Sequence, residues 1–169
     1  MTTQQTLSLA DIAIQQLSGS RGYLLGLLET LSDDHMTARA AGVGNHAAWV
    51  MGHLAYADDL FVSAFRDEPG TVPTGYAEQF GPGTVVSNNA SDYPGRAELL
   101  AQLASTRDRT LEWTKTLDGD AAWQAAPEAI ASVAPNAIAA AHTLSQHEFL
   151  HAGQLTTIRA SLAMKPVFM

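Results

Sequence analysis

Residues 136–163 read NAIAAAHTLSQHEFLHAGQLTTIRASLA, and this stretch decides the fold. Ala140, Leu144, His147, His151, Leu155, Ile158 and Leu162 recur every three or four positions, the period of one helix face. Asn136 offers an N-cap and Pro166 closes the segment. The stretch therefore reads as a long helix whose apolar stripe carries two histidines.

Working outward, three further segments have the same character. Asp118 to Pro135, containing Trp123 and Pro127, is a connection. Before it, a helix opening near Pro94 aligns Leu99, Leu103, Thr106, Thr110, Trp113 and Leu117. A Gly/Pro/Asn-rich stretch from Pro69 to Pro94 precedes that helix, with a short helical turn expected around Tyr76 to Phe80. A loop this long in a compact domain is usually functional or a crossover. The helix before the loop runs from about Asn45, a candidate N-cap, to Arg66. Trp49, Val50, His53, Ala57, Leu60 and Ala64 form its stripe, with Asp58, Asp59 and Arg66 off it. The first helix runs from about Ser8 to Leu31, with Ile14, Leu17, Leu24, Leu28 and Leu31 on one face. Ser8 with Asp11 resembles a capping box, and Ser32, Asp33 and Asp34 end the helix. Four long helices, no strand and no internal repeat define an all-α chain.

Composition narrows the function classes. The 169 residues fit one domain spanning the whole chain. No cysteine is present, which removes disulfides and thiolate metal sites and suits a cytoplasmic protein. The polar segment Met1 to Ala10 is not expected to act as a signal peptide. No apolar run approaches the roughly 20 residues that span a membrane. The net charge is −8, and the nine Lys and Arg are scattered. A nucleic-acid partner needs a basic face to displace counterions, and the sequence offers none.

The six histidines sort by position. His35, His46 and His142 lie at helix ends or off the stripes and read as surface or capping imidazoles. His147 and His151 stand one turn apart on one apolar face, the spacing that lets two imidazoles reach a single ion. His53 holds the matching place on the second helix, between Trp49 and Leu60. A single histidine on an apolar face is more often a satisfied core residue than a ligand. Three pointing into one core need partners, because unpaired buried polar groups are costly. One divalent metal ion would satisfy all three, and bundles build metal sites from facing helices in this way.

His147-Glu148-Phe149-Leu150-His151-Ala152-Gly153-Gln154-Leu155, followed by Arg159, resembles the last-helix signature of the DinB-like (DinB/YfiT) superfamily. Trp49-Val50-Met51-Gly52-His53-Leu54 resembles its second-helix signature. Phe80-Gly81-Pro82-Gly83 and Asp92-Tyr93-Pro94 are similar to one branch of it. The resemblance covers nearly the whole chain. It implies a four-helix bundle with up-down-down-up topology and a long crossover between the second and third helices. It also implies a divalent metal, zinc or nickel, on three histidines, which fall here on His53, His147 and His151. Some relatives are transferases and isomerases that use low-molecular-weight thiols such as bacillithiol or mycothiol. The resemblance, together with the apolar, alanine-rich helices, suggests a homodimer, and it implies no DNA binding.

His147 to His151 also reads H-E-x-x-H, the helix motif of zinc peptidases. One peptidase class takes a third ligand from a downstream Glu, and no Asp or Glu follows Glu148. The other places a Gly and a His where this chain has Gln154 and Thr157. A peptidase also needs an edge strand, and none is expected. Glu148 itself admits two readings: a general base leaning toward a metal-bound water, or a solvated carboxylate on the rim. Arg21 either snorkels outward, the favoured reading, or meets an anionic substrate. Three protein ligands leave a coordination position open, as in catalytic zinc. The expected function is a metal-dependent reaction on a small molecule, thiol transfer ahead of hydrolysis. The opposing class is a bundle that binds metal or ligand without turnover. Tyr76, Phe80 and Tyr93 are expected to supply a lid or pocket wall.

Overall fold

A computed structural model describes residues 7–167. The expectation about Met1 to Ala10 falls mainly on residues 1–6, outside the described residues. The described chain contains five α-helices: α1 (Leu9–Glu29), α2 (Ala47–Arg66), the short α3 (Tyr76–Phe80), α4 (Arg96–Thr114) and α5 (Ala137–Ser161). Three 3-10 turns lie between them. Among the described residues there is no strand, only an isolated antiparallel bridge joining Ala125 and Asn136. No helix there is long and apolar enough to cross a membrane.

The caps explain where the helices begin. Ser8 and Asp11 form the expected capping box on α1, and Asn136 accepts from the Ala139 amide to open α5. Asn45 does not cap α2. His46 does, accepting from the Trp49 amide at 3.2 Å through Nδ1. Asn45 instead reaches Gln154 on α5, 3.1 Å away. Pro94 is not the first residue of α4, which starts two residues later behind Gly95.

The long helices pack chiefly as two pairs, α1 with α5 and α2 with α4. Gln16 meets His142, Ser20 meets Glu148, and the Leu27 carbonyl meets Arg159, so α1 and α5 run the same way. Asp58 meets Arg107 and Phe65 meets Trp113, so α2 and α4 also run together. The two pairs oppose each other. Arg107 reaches the Leu17 carbonyl while Arg96 reaches that of Leu28, and Asn45 faces Gln154 while His53 faces His147.

The apolar interior is split. One cluster gathers around Leu24, Met51, Leu54, Phe80 and Leu155. The other gathers around Leu17, Phe61, Phe65, Trp113 and Leu144. A polar, mostly charged layer lies at the boundary between them on every long helix: Ser20 and Arg21 on α1, Asp58 on α2, Arg107 on α4 and Glu148 on α5. All five residues are buried. Asp58, read from the sequence as off the stripe, is in this layer because α4 covers the α2 face that carries it.

The crossover after α2 lies along that helix. Asp59 receives the Thr71 amide and hydroxyl, and Arg109 at 2.8 Å. Trp49 donates its indole N–H to the Gln79 carbonyl and the Thr84 hydroxyl. His46 is fully buried rather than on the surface, and its Nε2–H donates to the Ser87 carbonyl at 2.9 Å. Tyr76 and Phe80 enter the core. Neither they nor Tyr93 line the cavity beside α2, to which the crossover contributes Pro82 instead.

Candidate metal centre

His53 projects from the middle of α2, and His147 and His151 from successive turns of α5. Because these helices run in opposite directions and touch at this level, the three rings converge. The Nε2 atoms of His53 and His147 are 3.1 Å apart, and those of His151 and His147 3.0 Å. One nitrogen from each ring lies within 4.8 Å of the other two, and among the described residues this is the one such group of His, Cys, Asp or Glu side chains. His53 and His151 are buried and His147 half-buried.

Two of the rings have their outer nitrogens fixed. The Phe80 carbonyl lies 2.6 Å from His53 Nδ1, and a carbonyl only accepts, so Nδ1 carries the proton. His151 Nδ1 likewise donates to Gln154 Oε1 at 3.0 Å, and Asn45 donates to the same oxygen. Both Nε2 lone pairs therefore aim inward, as metal-ligating imidazoles are usually held. Trp49 stacks on His53 with centroids 4.4 Å apart and planes 13° from parallel, fixing the ring's tilt. A single Nε2–H on His147 would serve only one of the two lone pairs facing it. One ion would serve all three nitrogens. Bonds of about 2.0–2.1 Å to imidazole nitrogen bring ligands to roughly this mutual separation. The donor set and spacing fit a divalent ion.

Burial also keeps the rings neutral. It lowers His53, although the Phe80 carbonyl works against it. Burial, then the charge of His53, lowers His147 to about 4, with Asp58 opposing. Burial, then His147 and His53, lowers His151 to about 3. Neutral imidazole is the ligating form.

Glu148, the candidate general base, is not on the rim. Its carboxylate is completely buried. Oε2 accepts from the Ser20 hydroxyl at 2.6 Å and from Arg107 at 2.9 Å, while Oε1 accepts from Arg21 Nε. The helix turn that separates Glu148 from His147 by about 100° aims it at α1 and α4 instead of the histidines. Arg21 does not snorkel. It spans Glu148, the Leu103 carbonyl and Asp58, the last at 3.2 Å. Arg107, unnoticed in the sequence, grips Asp58 with Nε and Nη2 at 3.0 and 3.3 Å. Two guanidiniums and two carboxylates leave the layer neutral and mutually bonded, with no arginine directed at a substrate. The peptidase reading of H-E-x-x-H loses its base and finds no strand among the described residues.

His35 and His142 stay outside the centre, bonded to Ser32 and Gln16. Phe80, Gln154 and Asn45 support the ligands, a role not expected of them from the sequence. A backbone carbonyl in a loop leaves no trace in residue type. Gln154 does carry a signal, since it lies one turn beyond His151.

The architecture and the cluster define a class: an all-helical protein with three convergent histidines shared between two long helices. The chain belongs to the DinB superfamily, whose sequence profile matches residues 16–155, and that superfamily is metal-binding. A conserved protein from Enterococcus faecalis has a similar crystal structure, with a TM-score of 0.70 at 14% identity. The match covers 94% of this chain and 99% of that one, and it speaks for the fold. Among curated proteins, none matches the chain.

Proposed function

We propose that His53, His147 and His151 bind one divalent metal ion, zinc or nickel, and that the protein is a metal-dependent enzyme for a small molecule. The single observation behind this reading is the convergence of three Nε2 atoms, two of them locked as lone-pair donors. We read the four long helices as an up-down-down-up bundle, in keeping with the directions of their contacts. His53, His147 and His151 would hold the ion, and it would supply Lewis-acid chemistry that lets water or a thiol lose its proton near neutral pH.

Thiol transfer is favoured over hydrolysis. Activating water commonly calls on a protein carboxylate as base, and Glu148 has both oxygens engaged by Ser20, Arg21 and Arg107. A thiol bound at an ion held by these histidines would ionise without that help. The chain has no cysteine, so the thiol comes from outside as a low-molecular-weight cofactor. On this reading Trp49 and the Phe80 carbonyl orient His53, Gln154 orients His151, and Pro82 and α2 wall off the site.

The test replaces each histidine with alanine and measures metal by elemental analysis after purification without chelator. Each variant should lose stoichiometric metal. Full occupancy in His53→Ala would exclude the shared site. Loss of free thiol with model electrophiles, dependent on metal, should accompany occupancy, and unchanged thiol would count against transfer. We also propose a cytoplasmic homodimer. Exposed Leu9, Ile12 and Trp123 border one groove, and exposed Phe149 lies farther along α5, which gives it apolar contacts. Sedimentation should give the dimer mass at micromolar concentration, and a clean monomer would remove the proposal.

A further inference from the structure

A cavity of about 360 Å³ opens directly beside His53 and His147. Its walls are Ala57, Leu60, Phe61 and Leu144, with Pro82 of the crossover and Val133 ahead of α5. No Asp, Glu, Lys or Arg lines it. Apart from the two histidines and Trp49, only Tyr56 and Thr143 among its lining residues carry a polar side-chain group. The nearest buried arginines, Arg21 and Arg107, are committed to Asp58 and Glu148 and line a different groove, between α1 and α4. A charged body placed in this cavity would lose its water and find no counter-charge, which is costly. An apolar cavity of about 150 Å³ holds benzene, so this one has room for about twice that.

We infer that the cavity beside His53 and His147 binds the uncharged, two-ring-sized apolar body of the acceptor substrate, oriented so that its reactive end faces the histidines. The assignment rests on the proposed metal site for its reactive end, but the cavity's selectivity belongs to its own walls. It divides the two reactants of a thiol transfer. A thiol carrying sugar or carboxylate groups has nothing to pair with among Leu60, Phe61 and Leu144. Its polar part lies outside, and the apolar acceptor lies within.

The probes are 2-naphthol, neutral at pH 7, and 2-naphthoate, the same ring system with a negative charge. Binding is measured by titration calorimetry on protein as purified and after removal of metal. Metal-stripped protein should bind one 2-naphthol, at least tenfold tighter than 2-naphthoate. Ala57→Leu, which fills the cavity, should weaken 2-naphthol at least tenfold. Should that variant not fold, Leu60→Lys at a half-buried position on the wall carries the test, and it should reverse the preference toward 2-naphthoate. Equal affinity for both probes in stripped protein would overturn the proposal, as would 2-naphthol binding indifferent to Leu60→Lys. Metal content of the same samples reports on the histidines alone. A protein without metal that still selects 2-naphthol fails the metal reading and keeps the cavity.

Discussion

At the scale of the residue, Glu148 carries the sharpest consequence. It sits next to a ligand candidate, in a motif where a glutamate is often the base, yet its oxygens bond Ser20, Arg21 and Arg107. Removing one member of a buried charge set leaves the others unpaired and costs roughly 3–5 kcal/mol. Glu148→Gln should therefore lower unfolding free energy in urea by about that amount while the folded protein keeps its full metal content. A variant as stable as the parent, but stripped of activity, would return Glu148 to the role of base. His147 and His151 carry a second consequence. Their folded values, about 4 and about 3, lie below the ordinary imidazole value of 6.5. Below pH 6.5 the unfolded chain takes up protons that the folded, metal-free chain refuses. Stability from these rings is fully present above pH 6.5 and is lost as pH falls toward 4 and 3. The urea midpoint of metal-free protein should fall between pH 7 and pH 5, and this slope should shrink in a His147→Ala, His151→Ala double variant. An unchanged slope would place the titrating groups elsewhere.

At the scale of the element, the centre depends on how α2 meets the crossover. Gly52 precedes His53, and a Cβ there would overlap the Phe80 ring. The missing side chain lets Phe80 lie against α2, and the same residue's carbonyl then holds His53 Nδ1. A glycine inside a helix costs about 1 kcal/mol relative to alanine, and here it creates the close approach. Gly52→Ala should push Phe80 and its carbonyl away and weaken metal binding about 10–100-fold, the usual range when a ligand's supporting bond is lost. Competition with a chelator measures this. Phe80→Ala in the Gly52→Ala background removes the ring overlap and should restore part of the affinity. Unchanged affinity in Gly52→Ala would separate His53 from the crossover. Farther along, Asp59 gathers Thr71 and Arg109, which fixes where the crossover leaves α2.

At the scale of the whole molecule, the charged layer and the histidine centre serve different ends. The layer joins all four long helices between two apolar clusters and so sets their axial register. The centre then needs only α2 and α5 held at that register. How much of this was legible in the sequence follows from range. Helix extents, the Ser8 and Asn136 caps and the shared periodicity of His147 and His151 depend on neighbours within one or two turns, and side chains at three- and four-residue spacing declare their face without outside help. The sequence by itself thus determined an all-helical chain with two histidines on one face of α5 and a third on α2. Only the tertiary structure decided what those faces meet. Arg21, Asp58, Arg107 and Glu148 look like solvated side chains until four helices close over them. Their burial is tolerable only because each finds its partner 37 to 127 residues away. The same holds for His46, made a buried cap by the Ser87 carbonyl, and for Phe80 and Gln154, which aim the ligands. Pairing over such distances is set by helix direction and crossover path, and neither is written in local periodicity.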